Sequence, residues 1–309
     1  MYDVIVIGGG AAGLTAALYS LWAGKKVLVL ESENFGGQIT ASPRVDNYPG
    51  LPAVSGSAFA DALLEQVLEL GGEIEMERAA AVELDGPFKT VRAGRESYTG
   101  KSLILATGVR HRRLGLPGEE TLAGSGVSYC AVCDGAFFKG KKVAVAGGGD
   151  TALQSALFLS SMAEAVYLIH RRETFRAEAA LTVRLAGNAK IQQMTPYRIT
   201  ALQGETELKG LTLIQTVTGE AKELAVDGLF VAVGQEPDNR AFAGLVQLDE
   251  AGYIRAGEDC CTSAPGVFAA GDCRSKGVRQ LTTATADGAV AALAACVYAD
   301  APDFSAART

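Results

Sequence analysis

The apolar residues of this chain gather in short unbroken runs, each stopped by glycine. Val4-Ile5-Val6-Ile7 runs into Gly8-Gly9-Gly10-Ala11-Ala12-Gly13, a helical stretch starts at Leu14, and Val27-Leu28-Val29-Leu30 follows. Such a continuous run suits a parallel strand covered on both faces, so the segment predicts a βαβ unit. The pattern returns at a constant offset of 139, residues 4–31 matching residues 143–170 without a gap. There Val143-Ala144-Val145-Ala146 leads into Gly147-Gly148-Gly149-Asp150-Thr151-Ala152, then a helix containing Ala156, Leu157 and Leu159, then Val166-Tyr167-Leu168-Ile169. A duplicated architecture is expected.

A second pair of runs supports duplication. Leu103-Ile104-Leu105-Ala106-Thr107-Gly108 and Leu229-Phe230-Val231-Ala232-Val233-Gly234 each read as a closing strand that ends at glycine. Short alternating stretches between opening and closing strands, such as 88–92 and 211–217, predict a small antiparallel meander in each half. The remaining 75 or so residues are too few for another such domain, so the run from Gly266 to Asp272 and the helical tail are assigned back to the first. The expected fold is α/β, with two Rossmann-like, three-layer ββα dinucleotide-binding domains. Residues 1–113 and 245–309 form the first, and 114–244 form the second, inserted between two crossovers that act as hinges.

Composition narrows the function. The 309 residues are 48% apolar and 20% charged, which excludes wholesale disorder, and a net charge of −7 argues against a polyanionic partner such as nucleic acid. Met1-Tyr2-Asp3 carries no basic residue and the run from Val4 stops at Gly8, so no secretory signal is expected. The longest glycine-free apolar stretch, Ala289 to Ala299, falls short of the roughly 20 residues of a membrane span. Six cysteines are too few for a disulfide scaffold, which points to a reducing compartment, the cytoplasm.

Both glycine fingerprints lie between a buried strand and a helix start. Free backbone N–H groups and the helix dipole there hold a pyrophosphate against residues without side chains. The gapless alignment separates the two sites. Glu31 ends the second strand of the first copy and suits a ribose diol while repelling a ribose phosphate, so FAD or NAD is expected. His170-Arg171-Arg172, with Arg176 one turn on, stands at the equivalent place in the second copy and suits the 2′-phosphate of NADPH.

Cys130-Ala131-Val132-Cys133-Asp134 is the one cysteine spacing with a chemical meaning. A zinc site would need a second ligand pair, which neither His111 nor Cys260-Cys261 supplies, so no metal is expected. A reversible disulfide, with each sulfur in turn nucleophile and leaving group, needs proton management, and Asp134 stands beside it.

Taken together these residues resemble the low-molecular-weight thioredoxin reductases over nearly the whole chain. The similarity lies in Gly8 to Gly13, Gly36-Gly37-Gln38, Asn47-Tyr48-Pro49-Gly50, Ala106-Thr107-Gly108, Cys130 to Asp134, Gly147 to Ala152, His170-Arg171-Arg172, Gly271-Asp272 and Arg279-Gln280. The resemblance implies a homodimeric flavoprotein passing electrons from NADPH to FAD, then to the cysteine pair, then to the disulfide of thioredoxin or a similar carrier. It implies FAD contacts at Gly8, Gly10, Ala11, Ala12, Gly13, Glu31, Gly37, Gln38, Asn47, Val82, Ala106, Thr107, Gly108, Gly271, Asp272, Arg279, Gln280 and Leu281. NADPH contacts are implied at Gly147, Gly149, Asp150, Thr151, Ala152, His170, Arg171, Arg172 and Arg176. Cys133 is the sulfur expected nearest the flavin, Cys130 the one that attacks the partner, and Asp134 the acid and base. The family's inserted domain rotates, so that nicotinamide and cysteines take turns at the flavin. Phe137 and Phe138 read first as core and second as part of a docking surface. Cys260-Cys261 lies outside the pattern and is assigned no role.

Two rivals share the motifs: a dithiol oxidase that hands electrons to oxygen, and a non-catalytic flavin-binding redox sensor. The first has no need of His170-Arg171-Arg172, and the second none of Asp134. A reductase serving a carrier other than thioredoxin stays open on the sequence.

Overall fold

The computed structural model describes residues 1–42, 44–51 and 53–301. The chain separates into two compact units, residues 1–110 with 236–309 and residues 111–235; of the first, residues 302–309 lie outside the described residues.

The first unit opens with β1 (Tyr2–Ile7), α1 (Ala11–Trp22), β2 (Val27–Leu30), α2 (Gly56–Glu69) and β3 (Glu73–Glu75). It continues with β4 (Ala79–Asp85), β5 (Phe88–Ala93) and β6 (Glu96–Leu105). The strand order is β3-β2-β1-β6-β5-β4. β6 serves two layers: Glu96 to Gly100 pair antiparallel with β5, while Ser102 to Leu105 run parallel to β1. Alternation along β1 explains its unbroken apolar run. Val4 and Val6 enter the cluster under α1 and α2, and Ile5 and Ile7 enter the cluster on the opposite face.

A short strand, β7 (Val109–His111), leads into the second unit. There follow β8 (Val127–Ser128), a one-turn helix α3 (Ala131–Asp134), β9 (Lys142–Ala146), α4 (Asp150–Ser160), β10 (Ala165–Ile169), α5 (Ala179–Ala186) and β11 (Ile191–Met194). The meander β12 (Tyr197–Gln203), β13 (Gly210–Gln215) and β14 (Ala221–Ala225) precedes β15 (Gly228–Val231), and β16 (Gln235–Pro237) leads out. A parallel sheet of order β11-β10-β9-β15-β8 forms the middle layer, and β12-β13-β14 forms a sheet of its own. Val143 and Val145 face the helices, whereas Ala144 and Ala146 face the meander. The same division of one strand between two cores thus occurs in both halves.

The first unit closes with β17 (Val267–Ala269), parallel to β6, and α6 (Leu281–Asp300). Gly288 allows α6 to approach α1, since a Cβ there would stand 2.3 Å from the Ala12 carbonyl oxygen. Among the described residues α6 is the one helix long and apolar enough to cross a membrane by length and composition. Asp287 and Gly288 interrupt its apolar run, so the continuous apolar stretch is shorter than the helix. It packs as a core helix, burying Ala291, Ala292, Ala295 and Ala299.

The boundaries differ from those expected at 114 and 244. Residues 236–244 belong to the first unit. Asn239 explains it: the buried amide oxygen accepts the Thr107 hydroxyl at 2.7 Å, and its nitrogen donates to the Gly252 and Cys273 carbonyls at 2.9 Å. Phe242 is buried in the same core.

Candidate active site and nucleotide loops

The first glycine loop is built by close approach. Gly8 has φ +105°, and a Cβ on it would lie 2.2 Å from the carbonyl oxygen of Ala106, the residue that leads from β6 into Thr107 and Gly108. A Cβ on Gly13 would lie 1.8 Å from Gly8 O, so α1 can sit this close to the loop only with glycine there. Gly10 precedes α1 in extended conformation with no side-chain cap, leaving the amides at Ala11 and Ala12 to other partners. Glu31 closes the loop: Oε2 accepts the Gly9 amide at 2.6 Å and Oε1 accepts those of Ser32 and Glu33 at 2.7 and 2.8 Å.

Other residues expected at the first site gather in this unit. Gly36 bridges to Gly10, Gly37 follows in left-handed conformation, and Gln38 Nε2 donates to the Val109 carbonyl. Asn47 Nδ2 donates to Gln280 Oε1 at 3.2 Å, and Gln280 caps α6 reciprocally with Thr283 just ahead of Leu281. Arg279 lies over the Tyr253 ring at 4.0 Å and donates to the Asp272 carbonyl. Gly271 donates its amide to Asp287, while Asp272 Oδ1 is buried with no hydrogen-bond partner and lies 3.9 Å from Lys276 Nζ; burial pushes that carboxyl upward in pKa, against the charges of Lys276 and Arg279. Val82 is different. It lies in β4 opposite Val91, its side chain against the core.

These observations fit a dinucleotide. Uncapped amides, a Gly10 where a Cβ would make only ordinary contacts and a buried Asp272 oxygen with no hydrogen-bond partner are features that a bound pyrophosphate and ribityl chain would fit.

The second loop repeats the geometry with other side chains. A Cβ on Gly147 would meet Ala232 O at 2.4 Å, and Ala152 replaces the third glycine, buried in the helix-side core. Gly149 precedes α4 without a side-chain cap, and a Cβ on it would meet nothing within 4 Å. Asp150 and Thr151 begin α4, and Asp150 Oδ1 accepts the Glu178 amide at 2.8 Å. His170 is buried against Gly148 and Phe175, with Nε2 unpartnered. Burial lowers its pKa, a backbone hydrogen bond with Thr174 opposes this, and the charges of Arg172, Arg176 and Arg171 lower it further. The imidazole is a packed group whose charged form is disfavoured, and the cationic character comes from the three exposed arginines.

In the redox segment, Cys130 and Cys133 form a disulfide, with Cα atoms 5.3 Å apart. Cys130 precedes α3 and its Sγ accepts the Cys133 amide at 3.2 Å, a bond that favours a thiolate there once the pair is reduced. Asp134 ends α3. Its Oδ2 accepts the Ser128 hydroxyl at 2.6 Å, Oδ1 is buried with no partner, and burial raises the carboxyl's pKa. A carboxylic acid held toward its protonated form beside a disulfide is equipped to deliver and recover a proton.

Two further carboxylates, Glu119 and Asp287, are buried. Glu119 accepts the amides of Leu114, Gly115 and Leu116 and the Tyr129 hydroxyl, so a turn is tied to the residue before Cys130. Asp287 accepts from Arg274 and Lys276. An acid inside the apolar α6 run was a signal for the second; the first left none. Cys260 is buried, which pushes its thiol up to about 12, and burial also raises that of Cys261.

Two dinucleotide-type units, one carrying a cysteine pair with a buried acid, define a nucleotide-dependent disulfide oxidoreductase. The family model for pyridine nucleotide-disulphide oxidoreductases matches residues 2–288, and the chain belongs to that family. A thioredoxin reductase of Mycolicibacterium smegmatis is 44% identical over 295 residues, covering 95% of each chain. One of Treponema pallidum is 42% identical over 303 residues, covering 97% of each. Among solved structures, thioredoxin reductase from Streptococcus pyogenes superposes with TM-score 0.93 at 37% identity, covering 96% of this chain and 98% of that one.

Proposed function

We propose that this enzyme is an NADPH-dependent thioredoxin reductase. The observation that carries the reading is the Cys130–Cys133 disulfide beside an acid whose Oδ1 is buried and unpartnered. Full-length relatives that are thioredoxin reductases support it, and give no support to the oxidase and sensor readings. The net reaction takes NADPH, a proton and the partner's disulfide to NADP⁺ and the partner's dithiol. A bound FAD supplies the two-electron relay between nicotinamide and Cys130–Cys133. Gly8 to Gly13 and Glu31 hold that flavin nucleotide; Gly147 to Ala152, with Arg171, Arg172 and Arg176, hold NADPH.

Cys130 is the attacking thiolate, because its sulfur has the amide bond from Cys133. Cys133 resolves the mixed disulfide, and Asp134 protonates the leaving sulfur. Val132 and Phe137 are exposed beside the pair and are available to a docked protein, whereas Phe138 is buried against Phe230. The enzyme acts as a homodimer in the cytoplasm. Val290, Leu293 and Val297 leave an apolar stripe exposed along α6, and Cys260, Cys261, Cys273 and Cys296 are unpaired thiols.

Anaerobic titration with NADPH and with NADH, followed by thioredoxin, tests the whole route. NADPH is expected to bleach the flavin and thioredoxin to restore it; colourless protein that takes up no flavin would overturn the reading.

A further inference from the structure

The acid beside the disulfide does not stand alone. Ser128, the buried last residue of β8, is fixed by the parallel pairing of β8 with β15, where it registers with Phe230. Its Oγ lies 2.6 Å from Asp134 Oδ2 and 3.3 Å from the Cys130 carbonyl oxygen, and accepts the Cys130 amide at 3.1 Å, so the shorter acid contact takes the proton. One hydroxyl therefore touches both the acid and the backbone of the first cysteine. A hydroxyl has a single proton, which here goes to Oδ2, and Oδ1 is the buried carboxyl oxygen with no hydrogen-bond partner.

We propose that Ser128 is a positioning residue for the proton transfer: it ties the Asp134 carboxylate to the Cys130 backbone through Oδ2 and reserves Oδ1 for exchange with sulfur. The proposal rests on the reading of Asp134 as acid and base. The disulfide, on taking up two electrons, becomes two thiolates. Asp134 then gives its proton to one of them, becoming a carboxylate as a thiol forms, and takes a proton back when that thiol is next deprotonated. Ser128 keeps its own proton throughout. In donating to Oδ2 it favours the carboxylate, so it opposes the burial that favours the acid and keeps the proton movable in both directions.

The elements around the acid, β8, α3, β15 and the 3-10 turn Gly135–Phe138, contain no ionisable side chain apart from Asp134 and the two cysteines. On the segment after the turn, Lys141 Nζ is held over the Phe138 ring, 5.4 Å from its centroid. On α4, Leu159 and Phe158 face Gly135, and Asp150, its one carboxylate, accepts the Glu178 amide. The neighbouring Tyr129 and Glu119 bond to each other.

Infrared titration of the full-length flavoprotein tests the link. The C=O band of the protonated Asp134 carboxyl is assigned by its loss in Asp134→Asn. In Ser128→Ala its midpoint should move up by about one pH unit, the size expected for losing a hydrogen bond to a charged group. Ser128→Thr, which keeps the hydroxyl, should return the midpoint to that of wild type. The pH dependence of alkylation of the reduced cysteines should shift with it. Ser128→Gly removes the same hydroxyl and replaces the alanine should that variant not fold. An unmoved midpoint in the variants lacking the hydroxyl overturns the role of Ser128. Unchanged thioredoxin turnover in Asp134→Asn overturns the acid–base reading instead, and the two failures are read on different variants.

Discussion

Glu31 Oε2 accepts the Gly9 amide at 2.6 Å, so the acid that ends β2 is bound to the loop that ends β1. The other oxygen accepts the two amides that follow Glu31, and the carboxylate thereby fixes the rim of the first nucleotide loop before any ligand arrives.

Glu31→Ala should loosen that rim. The loss of charge-assisted bonds predicts about 1.5–3 kcal/mol less stability, partly offset because Ser32 and Glu33 are exposed to water. Urea unfolding checks the stability, and retention of flavin on desalting checks the site. Unaltered stability together with full retention would remove Glu31 from the loop's design.

At the second site the cation, not the imidazole, should decide coenzyme choice. Arg171→Ala is expected to raise KM for NADPH by roughly tenfold or more, from loss of about 1.5–3 kcal/mol, with KM for NADH nearly unchanged. Steady-state kinetics with both coenzymes is the check. An equal rise for both would remove the arginine from phosphate recognition.

Cys130→Ser should separate the halves of the reaction. NADPH is expected to bleach the flavin anaerobically as before, while thioredoxin reduction falls to background. Any substantial turnover with thioredoxin in this variant refutes the sulfur relay.

Lys89 predicts a pH dependence of stability. It is buried in the first unit, donates to the Pro87 and Lys101 carbonyls and the Tyr298 hydroxyl, and burial lowers its pKa from 10.5 to about 8. A lowered folded-state pKa means that the folded form gives up the proton more readily than the unfolded one. Its contribution is therefore complete above pH 10.5 and is lost as pH falls through about 8. Lys89→Met should flatten the stability change across that window, followed by denaturant midpoints from pH 7 to 11. It should also cost stability at every pH, because two partly buried carbonyls lose a donor. A wild-type slope retained in Lys89→Met would assign the dependence elsewhere.

The duplicated units, both glycine loops and the cysteine pair were legible in the sequence, because each answers a local requirement. A strand covered on both faces must be continuously apolar, as Val4 to Ile7 and Val143 to Ala146 are. Gly8 and Gly13 must lack side chains where backbones nearly touch. The tertiary structure alone decided which polar atoms meet. Ser128 found Asp134, Glu119 found Tyr129, and Asn239 drew residues 236–244 into the first unit through Thr107, far away along the chain. Such pairs have no period. A buried polar group needs a partner, but folding, not spacing, selects which group that is.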